Sequence, residues 1–118
     1  MSTHAEVLFA LLLGHAVADY PLQTDYIARF KNWNNASPPP PGQKQQAVWP
    51  YVMSAHAATH SAAVWIVTSS LTLAACEFVA HWLIDAAKCA GRTDIHTDQA
   101  LHVVCKVLWL ALYVGGIR

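Results

Sequence analysis

Residues 50–91 read PYVMSAHAATHSAAVWIVTSSLTLAACEFVAHWLIDAAKCAG. Two helix-length apolar stretches lie here, with almost no polar linker between them at Ser69 and Ser70. No Asp, Glu, Lys or Arg occurs between positions 50 and 76. A helix on the surface of a water-soluble domain needs a polar side, and the first stretch has none. Each stretch instead carries one pair of metal-ligand residue types spaced four apart, His56/His60 and His81/Asp85. Residues at i and i+4 share one helix face, one turn apart.

The pattern continues outward. A first segment, about 3–20, carries His15/Asp19, and a last one, ending at 114 before Gly115-Gly116, carries Asp98/His102. The pairs fall late, early, late and early in successive segments. In an up-down bundle that order puts all four at one end. The expected fold is therefore all-α, a single four-helix up-down bundle with spans at about 3–20, 50–69, 71–90 and 98–114, the last starting at either Asp94 or Asp98. The chain has 118 residues, with seven His and seven Asp or Glu. Random placement would give about 1.7 i,i+4 pairs among them, counting matches to the template. Six occur, with Glu77/His81 and Asp94/Asp98 as the others.

Segments of 17–20 residues make ~26–30 Å of helix, which matches a hydrocarbon core of ~30 Å. Charged residues are 12% of the chain, against about 25% in ordinary soluble domains. The expected bundle is therefore an integral membrane one, although a mean hydropathy of +0.30 is low for such a protein. Formal net charge is zero, which argues against nucleic-acid binding, since that needs a basic face. Cys76, Cys89 and Cys105 have no CxxC spacing and read as small apolar helix residues. No Lys or Arg precedes the first apolar run, so it does not read as a cleavable signal peptide.

Local signals mark the boundaries. Thr3 with Glu6 is a capping box, and Pro21 stops the first helix. Pro50 suits a first helical position, and Gly91 a helix stop. Residues 21–49 form a polar connection with a polyproline-like run at 38–42. Phe30 and Trp33 fit either a membrane interface or the bundle surface.

Arg29, Lys31 and Lys44 lie in that connection, and Lys88 and Arg92 in the one between the third and fourth segments. Only Arg118 lies at the other side. The positive-inside rule then puts both termini outside a bacterial inner membrane and the His/Asp end at the cytoplasmic boundary.

Imidazole and carboxylate together suit zinc or another divalent transition metal. His15, Asp19, His56, His60, His81, Asp85, Asp98 and His102 are the candidate ligands. They exceed one tetrahedral set, so one or two ions are expected, with spare residues orienting the ligands. Glu77, a turn before His81, is a candidate general base or a partner for His81 or Lys106. Lys88, a turn after Asp85, is a candidate phosphate-binding residue or a snorkelling one. Gln23 and Gln99 flank two of the pairs as candidate hydrogen-bond donors.

The stretch Gly14-His15-Ala16-Val17-Ala18-Asp19-Tyr20-Pro21-Leu22-Gln23-Thr24-Asp25 resembles the opening of a family of small bacterial and phage membrane proteins, domain of unknown function 3307. His81-Trp82-Leu83-Ile84-Asp85-Ala86-Ala87-Lys88 and Asp98-Gln99-Ala100-Leu101-His102 resemble its later motifs, in the same order. Separately, His56-Ala57-Ala58-Thr59-His60-Ser61 and His81-Trp82-Leu83-Ile84-Asp85 are similar to motifs of inner-membrane metal-dependent hydrolases. Ala57 stands where those proteins usually have Arg.

Three functions compete. The first is metal-dependent hydrolysis of a lipid or membrane-associated ester or phosphoester, with a metal-activated water whose pKa falls towards ~7. The second is metal binding or transport without hydrolysis, which needs a polar path to the far face. The third is a non-enzymatic bacterial or phage membrane protein whose His/Asp pairs are structural. Membrane lipid is the expected partner. No GxxxG motif marks a helix-dimer face, so no protein partner or oligomer is assigned.

Overall fold

A computed structural model describes residues 2–118. It is all-α, with α1 (His4–Asp19), α2 (Asp25–Phe30), α3 (Trp49–Thr68), α4 (Leu71–Cys89) and α5 (Ile95–Val114). The capping box forms as the sequence suggests. Thr3 Oγ1 accepts from the Glu6 amide at 3.2 Å, and Glu6 Oε2 accepts from the Thr3 amide at 2.6 Å. Pro50 sits in the first turn of α3, where its missing N–H costs nothing. Gly91 follows α4 with φ +73°, a conformation a side chain would strain.

The turn between α3 and α4 is two residues long. Ser69 takes a left-handed φ of 54°. Thr68 Oγ1 donates to the Val64 carbonyl and accepts from the Ser70 amide, and Ser70 Oγ accepts from the Leu73 amide. The chain reverses with its helix-end polar groups satisfied.

Two boundaries differ from expectation. The final helix begins at Ile95 rather than 98, because of the two aspartates offered as its start Asp94 is the cap, its carboxylate accepting from the Thr97 amide at 2.7 Å. That bond holds the Asp94 carboxyl below its ordinary pKa. The connection 21–49 also contains α2, so the described residues form five helices rather than four. Thr24 Oγ1 caps α2 by accepting from the Ile27 amide at 3.3 Å.

The four long helices form a ring. Helix α1 packs beside α3 and α5, and α4 packs beside the same two, while α2 lies against α3. Gly14 lets α1 approach α3 closely, since a Cβ there would lie 3.2 Å from Ala63 Cβ. At one end of the ring Val7, Leu11, Val64, Leu73 and Trp109 form an apolar plug. Cys76 and Cys105 pack against it as unpaired thiols. The other end is filled by polar side chains.

The membrane expectation needs correction on one point. Among the described residues no helix is long and apolar enough to cross a membrane. Helix α1 stops after 16 residues. Inward-facing His56 and His60 in α3, Glu77, His81 and Asp85 in α4, and Asp98, His102 and Lys106 in α5 dilute the apolar content of the other three.

Candidate metal centre

The up-down order carries the four pairs to one end of the ring. All eight of His15, Asp19, His56, His60, His81, Asp85, Asp98 and His102 meet there. They form three overlapping groups in which one ligand atom per residue lies within 4.8 Å of the others. Asp19, His56, His60 and His81 form the first, His15, His81 and His102 the second, and Asp85, Asp98 and His102 the third. All but Asp19 are buried, and His81 and Asp98 are wholly so.

The contacts cross between helices. Asp19 Oδ1 lies 3.0 Å from His60 Nε2 and 3.3 Å from His56 Nε2. Asp85 Oδ1 lies 3.0 Å from His102 Nε2, and Asp85 Oδ2 lies 3.5 Å from His56 Nε2. His56 therefore stands between the carboxylates of α1 and α4. The His60 and His81 rings stack at 3.6 Å between centroids, and His81 and His102 at 4.2 Å.

A rim of hydrogen-bonding groups closes this end. Gln99 Nε2 donates to Asp19 Oδ2 at 2.9 Å, and its Oε1 lies 3.1 Å from His15 Nε2. Lys88 Nζ lies 3.3 Å from Asp98 Oδ2. Lys31 Nζ donates to Asp85 Oδ2 at 2.6 Å and to Gln23 Oε1 at 2.7 Å.

Glu77 lies one layer deeper. Its carboxylate accepts from Lys106 Nζ at 2.7 Å and from the Trp109 indole N–H. His81 Nδ1 is 3.3 Å from Glu77 Oε1. Glu77 is thus aimed at His81 and Lys106, away from the Asp layer. Lys88 sits at the rim. His4 and His96 are exposed and outside the cluster.

A divalent cation fits this donor set. Ligands of one zinc-like ion at ~2.0–2.2 Å must lie within about 4.5 Å of one another, close to the spacing found. His56 Nε2, both ring nitrogens of His81, and Asp98 Oδ1 are buried without a hydrogen-bond partner among the described residues. Orphaned buried polar atoms are costly, and these lie within the ligand groups. The first and third groups share no residue, so no side chain is counted in both ligand sets.

Sequence reasoning missed Lys31, which it counted only for orientation. Trp33 packs on Trp49 with ring centroids at 5.3 Å, and Asn34 Nδ2 donates to the Cys89 carbonyl at 2.9 Å. These ties bring the residues after α2 over the open end of the ring. The sequence offered the bundle surface as one of two places for Trp33, and Thr24 before Asp25 is a cap signal that could have marked α2.

Fold and site together define a helical bundle with a buried His/Asp cluster at one end. No curated protein and no solved structure matches the chain. It belongs to the family described as Protein of unknown function (DUF3307), whose model matches residues 7–115.

Proposed function

We propose that the chain is a membrane-embedded metalloprotein whose two-ion His/Asp centre hydrolyses a lipid or membrane-associated ester or phosphoester. The observation that carries this reading is the pair of ligand groups with no shared residue inside one buried cluster. Asp19, His56, His60 and His81 would hold one ion, and Asp85, Asp98 and His102 the other. Two-ion centres supply Lewis acidity and a nucleophile at neutral pH. Around them Glu77 lies beside the His81 ring, Gln99 bonds Asp19 and His15, and Lys88 neutralises Asp98. The apolar plug of Val7, Leu11, Val64, Leu73 and Trp109 disfavours a transport path through the bundle.

The test is elemental analysis of the purified full chain. Zinc or another transition metal is expected at one or two per chain, and His60→Ala should lower occupancy by at least the ~10–100-fold in affinity typical of a lost orienting partner. A metal-free protein indifferent to chelators defeats the reading and leaves the pairs structural.

Lipid around the ring is supported by where the residues face. Phe9, Ile66, Val79, Leu83 and Val104 are more than half exposed, while Glu77, Lys106, Asp85 and Asp98 are at most 1% exposed. Polar groups inside and large apolar ones outside invert the usual arrangement. Hydropathy averaged along a helix understates an apolar outer stripe when the inner stripe is ionisable. The Lys/Arg asymmetry would then set the site towards the cytoplasm of a bacterial inner membrane. After carbonate washing the protein should stay in the membrane pellet, and recovery in the supernatant would refute the lipid assignment.

A further inference from the structure

Lys31 reaches the cluster from outside the ring. The residue is 4% exposed, and its ammonium binds Oδ2 of Asp85, a member of the Asp85/Asp98/His102 group. Lys88 lies on Asp98 Oδ2 in the same group. An ammonium group has three donors and no acceptor. The two lysines therefore occupy lone pairs on two carboxylates of that group and compete with a divalent ion for them. Glu77 and Lys106 neutralise each other one layer below. At the rim, three carboxylates (Asp19, Asp85 and Asp98) face two ammonium groups. Imidazoles that ligate an ion are neutral, so a single divalent ion turns that small negative excess positive. A buried ammonium without its carboxylate is costly, and an anion is what restores its partner.

We propose that Lys31 is an exchangeable counter-cation: it gives up Asp85 when a divalent ion is bound there, and then joins Lys88 in holding a phosphoryl oxyanion. This rests on the metal reading above and narrows its substrate class from esters in general to phosphoesters. A carboxylic ester is uncharged and leaves both ammonium groups unmatched. A phosphoryl group offers several charged acceptors at once. The four-carbon stem of Lys31 lets the ammonium swing without moving the backbone, which the Trp33–Trp49 and Asn34–Cys89 contacts hold in place.

The full chain in phosphatidylcholine nanodiscs tests this with Zn²⁺ alone and then with inorganic phosphate. In the wild type, acylation of Lys31 by a small amine-reactive reagent should rise about tenfold when metal is added, as a charge-assisted bond is broken, while exposed Lys44 stays constant. Metal-loaded Lys31→Gln should bind phosphate about tenfold more weakly, the scale of one such bond, with no loss of metal affinity. Lys31→Arg should retain phosphate binding. Adding phosphatidic acid to the nanodiscs distinguishes the two sources. Displacement of bound phosphate indicates a lipid headgroup, and its absence a free phosphate ligand, both consistent with the oxyanion site. Unchanged Lys31 labelling overturns the proposal without recourse to a variant. So does Lys31→Gln that binds phosphate normally, or that loses metal as a ligand variant does. A wild type that binds no metal overturns this proposal and the metal reading together. Metal binding with unchanged labelling overturns this one alone.

Discussion

Asp85→Ala should destabilise the protein by about 3–5 kcal/mol, the cost of leaving a buried charge without its partner. Asp85 accepts from Lys31 at 2.6 Å and lies 3.0 Å from His102 Nε2. It also lies 3.5 Å from His56 Nε2 and 3.7 Å from His81 Nε2. No other carboxylate of the cluster touches as many partners from different parts of the chain. Total stabilities are about 5–15 kcal/mol, so the loss is a large share of the whole. Asp85→Asn keeps the shape and one acceptor and should cost less. Removing Lys31 as well, in Asp85→Ala with Lys31→Ala, should recover part of the loss, because the stranded ammonium is gone. Denaturant unfolding of the four proteins in one detergent checks this. A single-variant loss under about 1 kcal/mol, the scale of an exposed pair, would show that Asp85 and Lys31 are not a buried pair.

Glu77→Ala should cost a comparable ~3–5 kcal/mol, since Lys106 and the Trp109 indole would both lose their acceptor. Replacing the pair by apolar residues of similar size, Glu77→Leu with Lys106→Met, should recover most of that loss, leaving about 1–3 kcal/mol for the Trp109 indole N–H that still lacks an acceptor. The same double variant should still bind metal about 10–100-fold more weakly, because His81 loses the carboxylate 3.3 Å from its Nδ1. Stability and metal affinity therefore part company in one protein. Unfolding curves and metal titration of the single and double variants measure both. Wild-type metal affinity in the double variant would remove Glu77 from any part in positioning His81.

Much of this was readable in advance because it repeats. Four pairs at a spacing of one turn, each inside an apolar run, specify a helix, a face and an end. The capping box at Thr3 and Glu6, Pro50 and Gly91 added boundaries through local chemistry that does not depend on tertiary context. Helix α2 escaped because six residues are too few to show a period. Lys31 escaped because its position depends on tertiary ties from Trp33 to Trp49 and from Asn34 to the Cys89 carbonyl, which no local pattern encodes. The start of α5 was misplaced between two aspartates four apart, and the amide of Thr97 decides for Asp94. Apolarity was overread because an inward ionisable stripe and an outward apolar one average to a modest value.

At the polar end of the ring the space between diagonal helices is filled by the ligands themselves, with five imidazoles packed ring against ring. No separate scaffold there could keep its shape while the ligand set varied. With an ion bound there as proposed, the bundle's lifetime as well as its chemistry would answer to metal supply. Free ion at one hundred times its dissociation constant would add about 2.7 kcal/mol to the folded state. Starvation for the ion would remove that increment and expose the chain to proteolysis. Cellular abundance would then follow the ion with no regulator needed.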